Sequence, residues 1–154
     1  MKKMYLKVLF ICTGNFYRSR FCAGLFNFLA EKEGIGARAF SRGLDVSLAD
    51  DASKKHNDEI SKDTKKRLKE LRVPLEYAGE KRTPLSLHDL EFADLTYAVM
   101  ESEHRPMMRE QFPEWENKIN YWDIGDLPHK WTPSESLGLA EIMVKGLIST
   151  LDKV

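Results

Sequence analysis

The chain is poor in cysteine, with 2 in 154 residues, Cys12 and Cys22, too few for a disulfide scaffold. No stretch approaches the roughly 18 consecutive apolar residues of a membrane span. The N-terminus holds no apolar core of convincing length followed by a leader cleavage site. Charge of one sign is also missing: 24 Lys and Arg balance 24 Asp and Glu, which gives no basis for a nucleic-acid surface. The histidines, His56, His88, His104 and His129, are scattered without ligand spacing, which argues against a metal centre. Repeats, low-complexity segments and an internal linker are absent as well. The expectation is a cytoplasmic protein folded as one domain over 1–154, with no cofactor, no metal, no nucleic acid and no membrane among its partners.

What is there begins with Val8-Leu-Phe-Ile-Cys12-Thr-Gly-Asn-Phe-Tyr-Arg18-Ser19. The apolar run reads as a short buried strand, and Phe21, Leu25, Phe28 and Leu29 repeat at helical spacing after Arg18. Cys12 therefore ends a strand, while Arg18 and Ser19 open a helix. The loop between them contains Gly14 and Asn15, which tolerate unusual backbone angles. Such a loop can turn successive backbone N–H groups inward and hold an oxyanion at the helix N-terminus. The same positive field favours thiolate over thiol. Anion cradle, guanidinium fork and thiolate describe a nucleophile aimed at a phosphate ester. The bland alternative makes Cys12 a small buried residue and Arg18 a surface one; the five-residue spacing, the Gly-Asn pair and the following serine weigh against it.

The remaining pattern alternates strands and helices. Strands are expected over about 6–11, 37–41, 95–100 and 119–124. Helices are expected over about 18–32, through Ile60, Thr64, Leu68 and Leu71, over 85–92, and through Met107, Met108 and Phe112. Thr132-Pro-Ser-Glu135 is a capping box with proline at the first helical position, followed by an apolar stripe of Leu139, Ile142/Met143, Leu147 and Leu151. Lys62–Lys69 is interleaved with Asp63 and Glu70 and reads as a solvated helix face. Alternation of this kind argues for an α/β fold, a three-layer sandwich around a four-stranded parallel sheet. Ligands of such sheets bind beyond the C-terminal strand ends, where Cys12 lies.

The chain resembles the low-molecular-weight protein tyrosine phosphatases, whose signature Cys-x-Gly-Asn-x-x-Arg-Ser is matched by Cys12, Gly14, Asn15, Arg18 and Ser19. Ser41-Arg-Gly43 is similar to the family's Ser-Ala-Gly after the second strand. Phe92-Ala-Asp94-Leu-Thr-Tyr-Ala-Val-Met100-Glu-Ser-Glu-His104 resembles its third strand and the acidic residue and histidine beyond. The resemblance implies flavodoxin-like strand order 2-1-3-4 and a phosphotyrosine phosphatase working through a cysteinyl-phosphate intermediate. It makes Cys12 the nucleophile and Arg18 the phosphate fork. Backbone N–H groups of Thr13, Gly14, Asn15, Phe16, Tyr17 and Ser19 line the cradle. Ser19 bonds the Cys12 sulfur, caps the helix, or does both, and Ser41 supports Asn15. Substrates would be a phosphorylated protein or a small aryl phosphate, with inorganic phosphate as product and inhibitor.

Several departures bear on this. The family carries its general acid in an Asp-Pro pair, whereas here Leu127 separates Asp126 from Pro128; Asp126 is favoured as the acid over Asp123. Tyr17 stands where many members have a second cysteine, so that redox protection is missing, and Cys22 reads as a buried helix residue rather than a substitute. Arg20 replaces a proline and adds positive charge near the mouth or points to solvent. Phe16 stands where the phosphoarginine-directed branch resembles a threonine and the phosphotyrosine branch is apolar, and Trp131 and Tyr17 are further candidate walls. The competing readings are a protein-phosphoarginine phosphatase, an arsenate reductase-like enzyme, which would need cysteines beyond Cys22, and a non-catalytic phosphate-binding module.

Overall fold

In the computed structural model, which describes residues 4–49, 60–79, 81–125 and 132–153, β1 (Leu6–Cys12) is the central strand. It pairs in parallel with β2 (Ala37–Gly43) on one side and β3 (Leu95–Ala98) on the other. β4 (Asn120–Tyr121) adds in parallel to β3, giving the order β2-β1-β3-β4. A strand flanked on both edges and both faces is apolar where it is covered, and Val8, Leu9, Phe10 and Ile11 are fully buried. Because side chains alternate, Val8, Phe10 and Cys12 enter one core and Leu9 and Ile11 the other.

Three helices cover the first face: α1 (Arg18–Glu33), α2 (Lys62–Glu70) and α5 (Pro133–Ser149). Phe21, Leu25, Phe26 and Ala30 of α1, Leu68 of α2, and Ala140 and Val144 of α5 fill the core there. On the other face α3 (Leu87–Phe92) and α4 (Glu101–Gln111) supply Leu90 and Met108. α1 stops at Gly34, whose φ of 69° is left-handed, and the Ile35 N–H returns to the Ala30 carbonyl at 2.8 Å, a C-cap that glycine adopts without steric cost. The capping box of α5 forms as expected: the Thr132 hydroxyl accepts from the Glu135 N–H, with Pro133 at the first position.

Two expectations are corrected here. The stripe of α5 is wider than expected: Leu147 is buried and Leu139, Met143 and Leu151 pack against the core, but Ser136, Leu137, Ala140, Val144 and Ile148 are buried too, and Ile142 is 67% exposed. Small residues at 136 and 140 let α5 approach α1 closely, and a reading by hydrophobicity alone undervalues them. The fourth strand keeps only Asn120 and Tyr121 in register with Tyr97 and Ala98. Beyond them the chain bends, so that Asp123 meets Met100 as an antiparallel bridge.

Candidate active site

Cys12 sits at the C-terminal end of β1, 2% exposed, and its neighbour in the sheet register is Gly43. The loop carbonyls are taken up by surrounding elements. Cys12 O accepts from Leu44 N–H (3.0 Å), Thr13 O from Asp45 N–H (2.8 Å) and Gly14 O from the Arg82 Nε (3.3 Å). A trans peptide points the following N–H opposite to its carbonyl, so the N–H groups of Thr13, Gly14 and Asn15 turn to the loop's inner side. They meet no acceptor among the described residues. The loop runs directly into α1, whose N-cap Tyr17 makes no side-chain capping hydrogen bond and whose first turn holds no acidic residue. Unsatisfied donors and the positive end of a helix therefore converge beside the Cys12 sulfur. Tyr17 and Phe16 are half-buried on the loop's outer turn.

Asn15 fixes the direction of the polar contacts. Its φ is 50°, a left-handed conformation that asparagine tolerates better than most residues. Its Oδ1 accepts from Thr83 N–H at 2.8 Å, and a backbone N–H can only donate, so the amide orientation is unambiguous. Nδ2 then donates to Ser41 Oγ and Ser19 Oγ, each at 2.9 Å. Ser19 Oγ, which accepts from Asn15, also lies 2.9 Å from Cys12 Sγ, and with the sulfur as thiolate only the Ser19 hydroxyl can be the donor between them. The relay Thr83–Asn15–Ser19 thus delivers a donor to the sulfur, the arrangement that a thiolate needs and a thiol does not.

Arg18 is 2% exposed, and both ends of its guanidinium are held. One terminal nitrogen donates to Ile124 O at 2.9 Å, the other to Glu103 Oε2 at 2.9 Å. Glu103 also accepts from the Thr13 hydroxyl and lies 3.0 Å from His104 Nε2. His104 is fully buried, and its Nδ1 accepts from Met100 N–H at 3.1 Å, which places the ring proton on Nε2, facing Glu103. Burial opposes ionisation of Glu103, but the His104 and Thr13 hydrogen bonds and the Arg18 charge outweigh it and hold its carboxyl well below the usual carboxylate range.

The floor of the loop is backbone packed on backbone. A Cβ at Gly43 would lie 2.7 Å from Thr13 O and 2.9 Å from Asn15 N, so the end of β2 approaches the loop more closely than any residue with a side chain allows.

The family model of low molecular weight phosphotyrosine protein phosphatase matches residues 7–126. The chain belongs to that family. It is accordingly a hydrolase of the protein-phosphatase class. A curated relative, the protein-arginine-phosphatase of Bacillus subtilis (strain 168), is 28% identical over 114 residues, which span 74% of this chain and 68% of that protein. Among solved structures, the low molecular weight protein tyrosine phosphatase from T. tengcongensis superposes with a TM-score of 0.74 at 24% identity, covering 95% of this chain and 99% of that one. Vibrio vulnificus Wzb, in complex with benzylphosphonate, gives 0.73 at 19% identity, over 96% and 99% of the two chains. These two likenesses extend the shared fold beyond the matched residues.

Of the expected site residues of this phosphatase, Cys12, Thr13, Gly14, Asn15, Phe16, Tyr17, Arg18, Ser19 and Ser41 are gathered at one sheet edge. Asp126 lies outside the described residues, as do His129 and Trp131. The residues just before Asp126 are described: Ile124 O accepts from Arg18 and Gly125 O from the Ser136 hydroxyl at 2.7 Å, while Asp123 is exposed. Arg20 departs from both of its expected places; it is 2% exposed and donates to Gly79 O at 2.8 Å. Cys22 is fully buried, and burial together with the neighbouring Cys12 pushes its thiol far up. Glu103, His104, Thr83 and Arg82 complete the site without having been assigned roles from sequence. Arg82 lies over the Phe16 ring, 5.6 Å from its centroid. The acidic residue and histidine after the third strand gave a signal for Glu103 and His104; for Thr83 and Arg82 there was none.

Proposed function

We propose that the chain hydrolyses phosphotyrosine and related aryl phosphate monoesters through a cysteinyl-phosphate. The observation that carries the proposal is the Ser19 hydroxyl oxygen 2.9 Å from Cys12 Sγ, beside the inward N–H groups of Thr13, Gly14 and Asn15. In the first step Sγ attacks phosphorus in line, the P–O bond to the phenol breaks, and Asp126 gives its proton to the leaving oxygen. Arg18 and the N–H groups from Thr13 to Ser19 hold the equatorial oxygens, where the charge of the transition state lies. In the second step water attacks phosphorus and Asp126 takes its proton. The S–P bond then breaks, releasing inorganic phosphate and a thiolate that the Ser19 hydroxyl stabilises.

Phe16 supports the aryl preference, since a half-buried ring on the outer turn of the cradle can stack on an aromatic leaving group for about 0.5–1.5 kcal/mol beyond area burial. A second reading, hydrolysis of phosphoarginine in proteins, is favoured by the 28% identity to the protein-arginine-phosphatase. The deciding experiment compares kcat/KM on matched peptides carrying phosphotyrosine, phosphoserine or phosphoarginine. The proposal expects phosphotyrosine to lead by at least about tenfold, the factor that about 1.4 kcal/mol supplies. A lead for phosphoarginine replaces it with the second reading, and no turnover of any aryl phosphate makes the chain a phosphate-binding module.

A further inference from the structure

Residues 60–75 contain Lys62, Lys65, Lys66, Arg67, Lys69 and Arg72 against Asp63 and Glu70 alone, in a chain whose 24 basic and 24 acidic residues cancel only as a whole. In sequence these signs alternate; on the folded helix they separate. At about 100° per residue, Lys62, Lys65, Lys66 and Lys69 fall within an arc of about 100°. Asp63 and Glu70 lie on the flank beyond it, and the buried Thr64 and Leu68 turn to the core. On the acidic flank Arg67 pairs with Glu70 and with Glu141 of α5. Among the described residues, Lys62, Lys66, Lys69 and Arg72 meet no carboxylate within ion-pair distance.

The stripe borders a groove of about 660 Å³ whose apolar wall is Val73, Pro74 and Leu75, with Leu75 46% exposed. The helix that carries the stripe is tied to the phosphate loop through residues outside the groove. Ser61 N–H donates to Phe16 O at 2.7 Å, and the Thr64 hydroxyl donates to Tyr17 O at 2.9 Å. The lysines thus begin one residue from the turn that carries Phe16 and run away from it for about 10 Å, the length of about three extended residues.

We propose that this face of α2 is a docking surface for an acidic segment flanking the phosphorylated residue of a protein substrate. Its carboxylates would meet Lys62, Lys66 and Lys69, and an apolar side chain among them would lie on Leu75. A peptide fits better than a nucleic acid, because the groove offers no aromatic platform on which bases could stack. Only the turnover arm of the test below rests on the phosphatase reading.

The experiment uses the full chain, the double variant Lys66→Glu/Lys69→Glu, and three peptides carrying three glutamates N-terminal to the tyrosine, three C-terminal to it, or none. Binding of fluorescent, unphosphorylated versions is read by anisotropy, and turnover of the phosphorylated versions by phosphate release. One acidic peptide should bind, and be turned over in kcat/KM, about tenfold better than the neutral one at low salt, the effect of two or three exposed ion pairs together. That gain should vanish in the double variant and at 0.5 M NaCl, while turnover of p-nitrophenyl phosphate stays unchanged. Equal binding of acidic and neutral peptides, or an undiminished gain in the variant, overturns the proposal. So does displacement of the acidic peptide by a short single-stranded RNA at equal charge concentration, or a self-association of the chain that the variant abolishes. Acidic-peptide binding without turnover of any aryl phosphate would keep the docking surface and overturn the phosphatase reading instead.

Discussion

Replacing Ser19 with alanine removes the oxygen that stands 2.9 Å from Cys12 Sγ and 2.9 Å from Asn15 Nδ2, and leaves the loop backbone and Arg18 in place. A hydrogen bond to a charged group is worth about 1.5–3 kcal/mol, and here the charge exists only while sulfur is a thiolate. The loss should therefore fall on the step in which sulfur departs from phosphorus, slowing phosphocysteine hydrolysis by about ten- to a hundredfold. Rapid mixing with p-nitrophenyl phosphate reads this directly. The variant should release a burst of p-nitrophenolate equal to the enzyme concentration and then turn over slowly, because the intermediate accumulates. Alkylation by iodoacetate at neutral pH should slow as well, because the hydroxyl beside the sulfur is gone. Asn15→Ala should follow the same pattern, because without the amide the Ser19 proton is no longer directed at sulfur. A Ser19→Ala enzyme with no burst and unchanged alkylation would refute the relay.

Further outcomes follow from the same geometry. Cys12→Ser should lose turnover by more than about a thousandfold while still binding phosphate or vanadate in a calorimetric titration, and Arg18→Lys should lose both, because lysine has no planar fork. Asp126→Asn should slow a poor leaving group by about 10²–10⁴-fold and p-nitrophenyl phosphate less, with Asp123→Asn mild; the reverse ranking in steady-state kinetics would move the acid to Asp123. Glu103 has its carboxyl held low in the folded state, so its contribution to stability is present above the unfolded value of about 4.3 and is lost as pH falls through the folded value. The Tm gap between wild type and Glu103→Gln should be constant from about pH 8 to 5 and shrink below about pH 4, and a gap that closes by pH 6 would contradict the Arg18–Glu103–His104 cluster.

How much of this was legible depended on sequence distance. Cys12, Gly14, Asn15, Arg18 and Ser19 lie within one strand–loop–helix unit, so their spacing alone implied a cradle and a nucleophile. The capping of α5 was also readable, because cap chemistry is local, whereas the strand order came only from the family resemblance. Thr83 was not, since its role is a backbone N–H delivered from a distant segment to Asn15 Oδ1, and a backbone group leaves no residue signature. Arg82 acts through a carbonyl and a ring face, and Glu103 acts on Arg18 only once β1 and β3 are paired. Arg20 was misread because a charge on a helix defaults to solvent, whereas here the Gly79 carbonyl receives it inside the protein. The lysine stripe of α2 was visible as composition but not as a face, because alternation along the chain conceals separation around the helix.

The contact of Gly43 with the phosphate loop means that the cradle is cast against a mould rather than shaped from within. Thr13 O and Asn15 N rest on bare backbone, so the curvature that spaces the inward N–H groups belongs to β2 as much as to the loop itself. A single methyl group at Gly43 would press on Thr13 O and on Asn15 and shift that curvature. The result would be a chain chemically intact but weaker in its hold on phosphate. The oxyanion recognition proposed for this loop would therefore depend on how two strands end side by side, and Gly43→Ala should weaken phosphate binding in a calorimetric titration.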